Sequence, residues 1–184
     1  MGLTVRAFSH MELTPEHARG RECTGWTTPT AMPTHPHIPA FVLDGFDQSL
    51  RGLVDGRCYA QTARTVSVCV LSMGYAMYAG WRSALSVAGL GVTPGVVWDH
   101  PDDFRGDPFF ELIHFADNEG TIGPEAAADL LADFEAAPDL AGRLAASVHD
   151  KPLPLRVREQ FGAVVGQWVT GLTLAADGGL VRFA

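Results

Sequence analysis

The stretch from Arg156 to Phe183, RVREQFGAVVGQWVTGLTLAADGGLVRF, decides the fold. Val157, Phe161, Val164, Val165, Trp168, Leu172 and Ala175 recur at helical spacing, which predicts one buried face on a long helix over 156–176. Gly162 and Gly166 lie inside it, and an interior glycine costs about 1 kcal/mol against alanine. Close approach of a neighbouring element at these two glycines is the expected compensation. Asp177-Gly178-Gly179 then turns the chain, and Leu180-Val181-Arg182-Phe183 reads as a strand. A strand this short and apolar needs a partner to stay ordered. Leu3, Val5 and Phe8 mark an opening strand that can supply one. The fold expected is therefore α+β: a single, mostly helical domain over residues 1–184, with a small antiparallel sheet including both termini.

The middle of the chain fits that frame. Val66, Val68 and Val70 alternate with Ser67 and Cys69, so a strand should give way to a helix near Ser72. Tyr75, Tyr78, Trp81, Arg82 and Leu85 then form a helical stripe, which the glycines between Gly89 and Gly95 end. Asp107-Pro108 is a helix start, with Asp as cap and Pro in first position, for a short helix from Phe109 to about Phe115. Gly123-Pro124-Glu125 opens another, with Leu130, Leu131 and Phe134 facing inward. After Pro138, Leu140, Leu144 and Val148 repeat at four-residue steps. Thr14-Pro15-Glu16 suits one helical turn. Residues 23–39 are rich in Thr and Pro and read as an irregular segment. Pro33, Pro36 and Pro39 in it carry the three-residue period of polyproline II, which fits either an extended covering loop or a proline-recognition ligand. No internal repeat divides the chain.

Bulk properties narrow the function classes. The 184 residues carry 13 Lys+Arg against 21 Asp+Glu, a formal net charge of -8, and 47% of them are apolar. That composition belongs to a folded domain rather than a disordered chain. The acidic balance disfavours nucleic acid, whose phosphates are bound by releasing counterions to Lys and Arg. Lys151 is the single lysine and is followed by Pro152, so no phosphate-binding GxxxxGK[ST] loop exists. The opening MGLTVRAFSHMEL has no basic segment leading into an apolar one and does not read as a secretory signal. The apolar runs 65–81 and 161–176 fall short of the roughly 20 residues a bilayer span needs, so no membrane is expected. Cys23, Cys58 and Cys69 form no CxxC, and three reduced thiols in a cytoplasmic protein are the simplest expectation.

Two constellations carry candidate chemistry. In Glu111-Leu-Ile-His114-Phe-Ala-Asp117-Asn-Glu119-Gly-Thr121, Glu111 and His114 share one helical face at i, i+3. A carboxylate and an imidazole so spaced are half of a metal site, which Asp117 and Glu119 would complete, with His35, His37 or His100 as further ligands. The bland reading pairs Glu111 with His114 at the surface and leaves Asp117 and Thr121 to cap a turn. The second constellation is Tyr75, Tyr78, Trp81 and Arg82. Aromatic faces beside a guanidinium suit a flat or anionic ligand, although the same stripe is what ordinary helix packing produces. In that packing case Arg82 would be a solvated neighbour; a buried Arg82 would instead be a structural partner of Glu111 or Asp117, and there would be no pocket. No GxSxG and no HExxH occurs, and Gly89-Leu-Gly91-Val-Thr-Pro-Gly95 has the wrong spacing for a dinucleotide loop.

The run from Phe110 to Pro124, FELIHFADNEGTIGP, resembles a signature of an uncharacterised group of small bacterial and phage proteins. Gly74-Tyr75, Tyr78 and Trp81-Arg82 before it, and the closing Gly-Gly-strand, are similar to the same group. The resemblance covers about Ser72 to Pro124 and, weakly, the last ten residues. Members often carry a Cys between the acidic pair; Asn118 stands there in this chain, so a redox or nucleophilic role for that Cys does not transfer. The resemblance implies no activity, only that the two segments belong together. The leading expectation is non-enzymatic: a domain binding a small polar or anionic molecule, nucleotide-like for instance, through Tyr75, Tyr78, Trp81, Arg82, Glu111, His114, Asp117 and Glu119. The enzyme alternative is a metal-assisted hydrolase using Glu111, His114, Asp117 and Glu119, with Glu111, His114 and Asp117 on the metal. A protein-interaction module is the third.

Overall fold

The computed structural model describes residues 2–14, 37–40, 47–115, 120–146 and 155–183, without the side chains of 37, 39, 47–48 and 155–158. Three strands come first: β1 (Gly2–Phe8), β2 (Met11–Leu13) and β3 (His37–Pro39). A 3-10 turn at Asp47–Leu50 leads to β4 (Cys58–Gln61) and β5 (Ser67–Gly74). Four helices follow: α1 (Tyr75–Leu90), α2 (Pro94–Asp99), α3 (Pro101–Phe104) and α4 (Phe110–His114). The chain closes with β6 (Gly120–Ile122), α5 (Pro124–Ala136), α6 (Leu140–Ala146), α7 (Leu155–Ala176) and β7 (Leu180–Phe183). The expected turn at Thr14-Pro15-Glu16 runs beyond the described residues, as do Val148 and most of 23–39. The last three residues of that last segment are not irregular: His37–Pro39 pairs antiparallel with β4.

The α+β architecture is as expected, with the sheet order β5-β1-β7-β6, antiparallel at every neighbour. β7 lies against β1 with Val5 opposite Phe183 and Phe8 opposite Leu180, so the two ends of the chain do pair. Leu180, Val181 and Phe183 are wholly buried. A second sheet, β2-β4-β3, covers a smaller cluster of Phe8, Met11, Ile38, Leu50, Tyr59 and Leu180. β5 runs two residues past the expected change to helix, because Ser72, Met73 and Gly74 are held extended opposite Thr4, Leu3 and Gly2. Pairing with β1 thus overrides the local pattern. Val5 faces Leu71 while Arg6 faces Cys69, which leaves Val70 as the extra residue of a bulge. The bulge turns both Val70 and Leu71 into the core.

α7 lies across the sheet and contacts α5 and α6, and its buried face is the expected one at Phe161, Val164, Trp168, Leu172 and Ala175. The close approach falls elsewhere than expected. A Cβ at Gly162 would make only ordinary contact with Ala141, and one at Gly166 would meet nothing. Gly171 is the tight position, where a Cβ would overlap Val70 Cγ2 and crowd Ala7. The Val70 bulge therefore sets how near α7 comes to the sheet. At the C-terminal end of α7, Gly178 is left-handed (φ 61) and the Gly179 amide donates to the Ala175 carbonyl.

Cysteine usage also differs from expectation. Cys58 is disulfide-bonded, with a partner outside the described residues, while Cys69 is free and exposed. No helix among the described residues is long and apolar enough to cross a membrane.

Gly171→Ala should destabilise the domain by about 1–3 kcal/mol through overpacking. Gly166→Ala should be neutral or stabilise by up to about 1 kcal/mol. Urea unfolding of the two variants checks the contrast, and equal effects would contradict the Gly171–Val70 contact.

Candidate functional site

The stripe on α1 points inward. Tyr78, Trp81 and Leu85 are wholly buried, and Tyr75 is half-buried against the same core. Trp81 stacks between Tyr78 (6.0 Å, 23°) and Trp168 of α7 (5.9 Å, 18°), and Tyr78 meets Phe183 of β7 edge-on. These rings join α1, α7 and β7. Arg82 is not the solvated neighbour of the packing reading but a buried structural partner, and the group it reaches is the Phe115 carbonyl. Its guanidinium is buried, with 5% of the residue exposed, and Nη1 donates to the Phe115 carbonyl at 2.7 Å. A charge in that position needs hydrogen bonds to offset its lost hydration.

Above Arg82 lies a residue the sequence reading passed over. The Arg82 guanidinium carbon sits 4.9 Å from the centre of the Trp98 ring. The Trp98 Nε1–H donates to the Ile113 carbonyl at 3.0 Å. The residue is nevertheless 46% exposed. Arg82 lies over one face of the ring, and the N–H edge is engaged. Local sequence explains its position: Pro94 opens α2 at the first turn and Val97 takes the buried place, which turns Trp98 outward. The Thr93-Pro94 start was the available signal for this helix.

α4 starts one residue later than expected and without a side-chain cap. Phe109 is left-handed (φ 64), a costly conformation for a bulky residue. It is held there because its ring is buried 5.0 Å from Phe134 and its N–H donates to Asp133 Oδ2 at 2.7 Å. This turn directs Glu111 toward Arg51. Arg51 Nη2 donates to Glu111 Oε1 at 2.8 Å, and Nη1 pairs with Asp129 on α5. The segment carrying Arg51 is fixed by Gly123, whose N–H donates to the Ser49 carbonyl and whose missing side chain leaves room for the Arg51 carbonyl. Nothing local links Arg51 to Glu111, so sequence periodicity could not find the pair.

Glu111 and His114 therefore take different partners. The Glu111 side chain is 12% exposed, and burial raises its pKa above the ordinary value. Its own backbone N–H and Arg51 oppose that rise, while Asp133 and Asp129 add to it. An ion pair alone would suggest a lowered pKa; loss of water outweighs it here. Burial likewise raises Asp133, against the hydrogen bond from Phe109. His114 stacks on Phe110 at 4.9 Å, and burial, followed by Arg105, lowers its pKa. Asp117 and Glu119 lie outside the described residues. Among the described residues no three His, Cys, Asp or Glu side chains are placed to hold a metal ion. No known protein family, curated protein or solved structure matches this chain.

Opposite pH dependences follow from these groups. Raised carboxyls favour folding when protonated, so the contributions of Glu111 and Asp133 are full below their ordinary values and lost as pH rises through the raised ones. His114 contributes above about 6.5, and that contribution is lost as pH falls through its lowered value. Glu111→Gln with Asp133→Asn should remove the acid-side gain, and His114→Asn should remove the loss below neutrality. Urea unfolding between about pH 4 and pH 8 reads both; unchanged slopes in both variants would contradict the burial of these groups.

Proposed function

We propose that this domain is a non-enzymatic binder of a small, flat, polar molecule, with the Trp98 indole as the stacking surface. The observation that carries this reading is a tryptophan whose indole is held at two points while nearly half of the residue is exposed. An exposed tryptophan of an ordinary surface keeps its rotamer freedom; this one has surrendered it already. Pre-organisation lowers the entropy a ligand must overcome on stacking. This reading replaces the pocket expected between α1 and the 111–121 segment with a surface at Trp98. Tyr78 and Trp81 lie inside the core and support Arg82, Arg82 braces the indole, and Trp98 alone presents an aromatic surface. His114, next to the Ile113 carbonyl that anchors the indole, is the nearest described polar group in sequence.

Local charge refines the ligand class. Asp99, Asp102 and Asp103 follow Trp98 and are exposed, with Arg105 paired to Asp102. A neutral or cationic heteroaromatic molecule suits that surface better than a strongly anionic one. Asp117 and Glu119, expected in the same site, lie outside the described residues. The Cys58 disulfide favours an oxidising compartment over the cytoplasm as the place where this binding occurs.

The test uses adenosine as a neutral probe and adenosine monophosphate as an anionic one. Adenosine at a hundredfold its dissociation constant should stabilise the native protein by about 2.7 kcal/mol. Trp98→Ala should stay folded and lose that stabilisation. The Trp98 indole N–H resonance should shift on titration, more strongly with adenosine than with the monophosphate. A probe that stabilises the wild type and Trp98→Ala equally, or that leaves the Trp98 resonance unmoved, would contradict the assignment.

A further inference from the structure

We infer that β5 is the seam of a symmetric homodimer, pairing antiparallel with β5 of a second copy to make one continuous sheet. β5 stands at the end of the order β5-β1-β7-β6, with β1 on one side and no strand on the other among the described residues. The opposite end of the sheet is closed: β6 is three residues long, wholly buried, and followed by Gly123, which donates to the Ser49 carbonyl. β5 is eight residues long and contains no Lys, Pro, Asp or Glu. Proteins commonly blunt an open edge with charge, proline, brevity or a bulge, and of these β5 carries only the bulge at Val70.

The partner that fits is a second copy, because the strand is complementary to itself. Ser67, Cys69, Ser72 and Gly74 are exposed, Val68 and Met73 are half-buried, and Val70 and Leu71 are buried. This order is the same read in either direction. Without the bulge at Val70 it would not be, since strict alternation over eight residues puts the first and last on opposite faces. The bulge reverses the parity midway, so an antiparallel self-pairing with Ser67 opposite Gly74 of the second copy matches faces throughout. Val68 then meets Met73, Val70 meets Leu71 and Cys69 meets Ser72. Inward side chains adjoin inward ones, and the core of one copy continues into the other. Charge argues for the same seam. Two chains of net charge -8 repel, and the run from Thr65 to Trp81 has no charged residue, so contact there brings no like charges together.

The register makes a covalent test specific. Ser72→Cys places a thiol opposite Cys69 of the second copy, where Cβ atoms in an antiparallel pair lie about 4.5–5.5 Å apart. Under mild oxidation Ser72→Cys should form a dimer on a non-reducing gel faster than wild type, whose Cys69 thiols lie three residues out of register. The native mass by light scattering should be twice 19.7 kDa, and added salt should shift more protein into that form by screening the repulsion. Cys69→Asp with Ser72→Asp sets carboxylates opposite each other twice and should halve the native mass while each copy remains folded by circular dichroism. A wild type that stays monomeric at high concentration and high salt overturns the inference. So does a Ser72→Cys variant that crosslinks no faster than wild type, or a dimer that survives the double aspartate change.

Discussion

The buried guanidinium of Arg82 is the constraint on which the rest of this structure turns. It leaves α1 within a wall of aromatic rings, reaches the Phe115 carbonyl at the end of α4, and lies beneath Trp98 of α2. Three elements are thereby registered by one side chain. A hydrogen bond between a charged donor and a carbonyl is stronger than a neutral one, and in a dry site it is costly to break. The Tyr78, Trp81, Trp168 and Phe183 cluster excludes water from that site. Core packing and the exposed indole are therefore parts of one arrangement, in which the aromatic floor keeps Arg82 dry and Arg82 keeps Trp98 in place.

A second brace works on the other side of α4. The left-handed Phe109, whose N–H donates to Asp133, sets the start of that helix, and the Arg51 bridge from Glu111 to Asp129 ties it to α5 and to the 47–53 segment. α4 is only five residues long and has little stability of its own. Its position is fixed from both ends by side chains distant in sequence. This explains why a segment rich in titratable groups serves first as a structural joint. The raised carboxyls and the lowered imidazole report burial at that joint.

What could be read from the residues alone follows the range of the interactions. The pairing of the termini was legible, because a short apolar strand has few ways to be satisfied and Leu3, Val5 and Phe8 offered a partner. The inward face of α7 was legible for the same reason that any helical stripe is. Gly171 was not distinguishable from Gly162 and Gly166, since which glycine is tight depends on a bulge at Val70 in a strand a hundred residues earlier. Tyr78, Trp81 and Arg82 were identified as a group that belongs together, but whether a stripe faces core or ligand depends on α7, which supplies Trp168. Trp98 was missed because its role comes from two partners, Arg82 and Ile113, neither of which is a helical neighbour. Asp117 and Glu119 lie outside the described residues.

The measurement closest to the heart of this account is the unfolding free energy of Arg82→Met, determined in urea beside wild type. Methionine keeps much of the stem and removes the charge and its donors. A buried brace predicts a loss of about 2 kcal/mol or more, because the Phe115 carbonyl loses its charged partner and Trp98 its support. It also predicts that the Trp98 indole resonance broadens or moves in the folded variant. A solvated arginine on an ordinary helix face would give a change within about 0.5 kcal/mol and leave Trp98 undisturbed. That result would contradict the arrangement from which both the core and the binding surface have been argued.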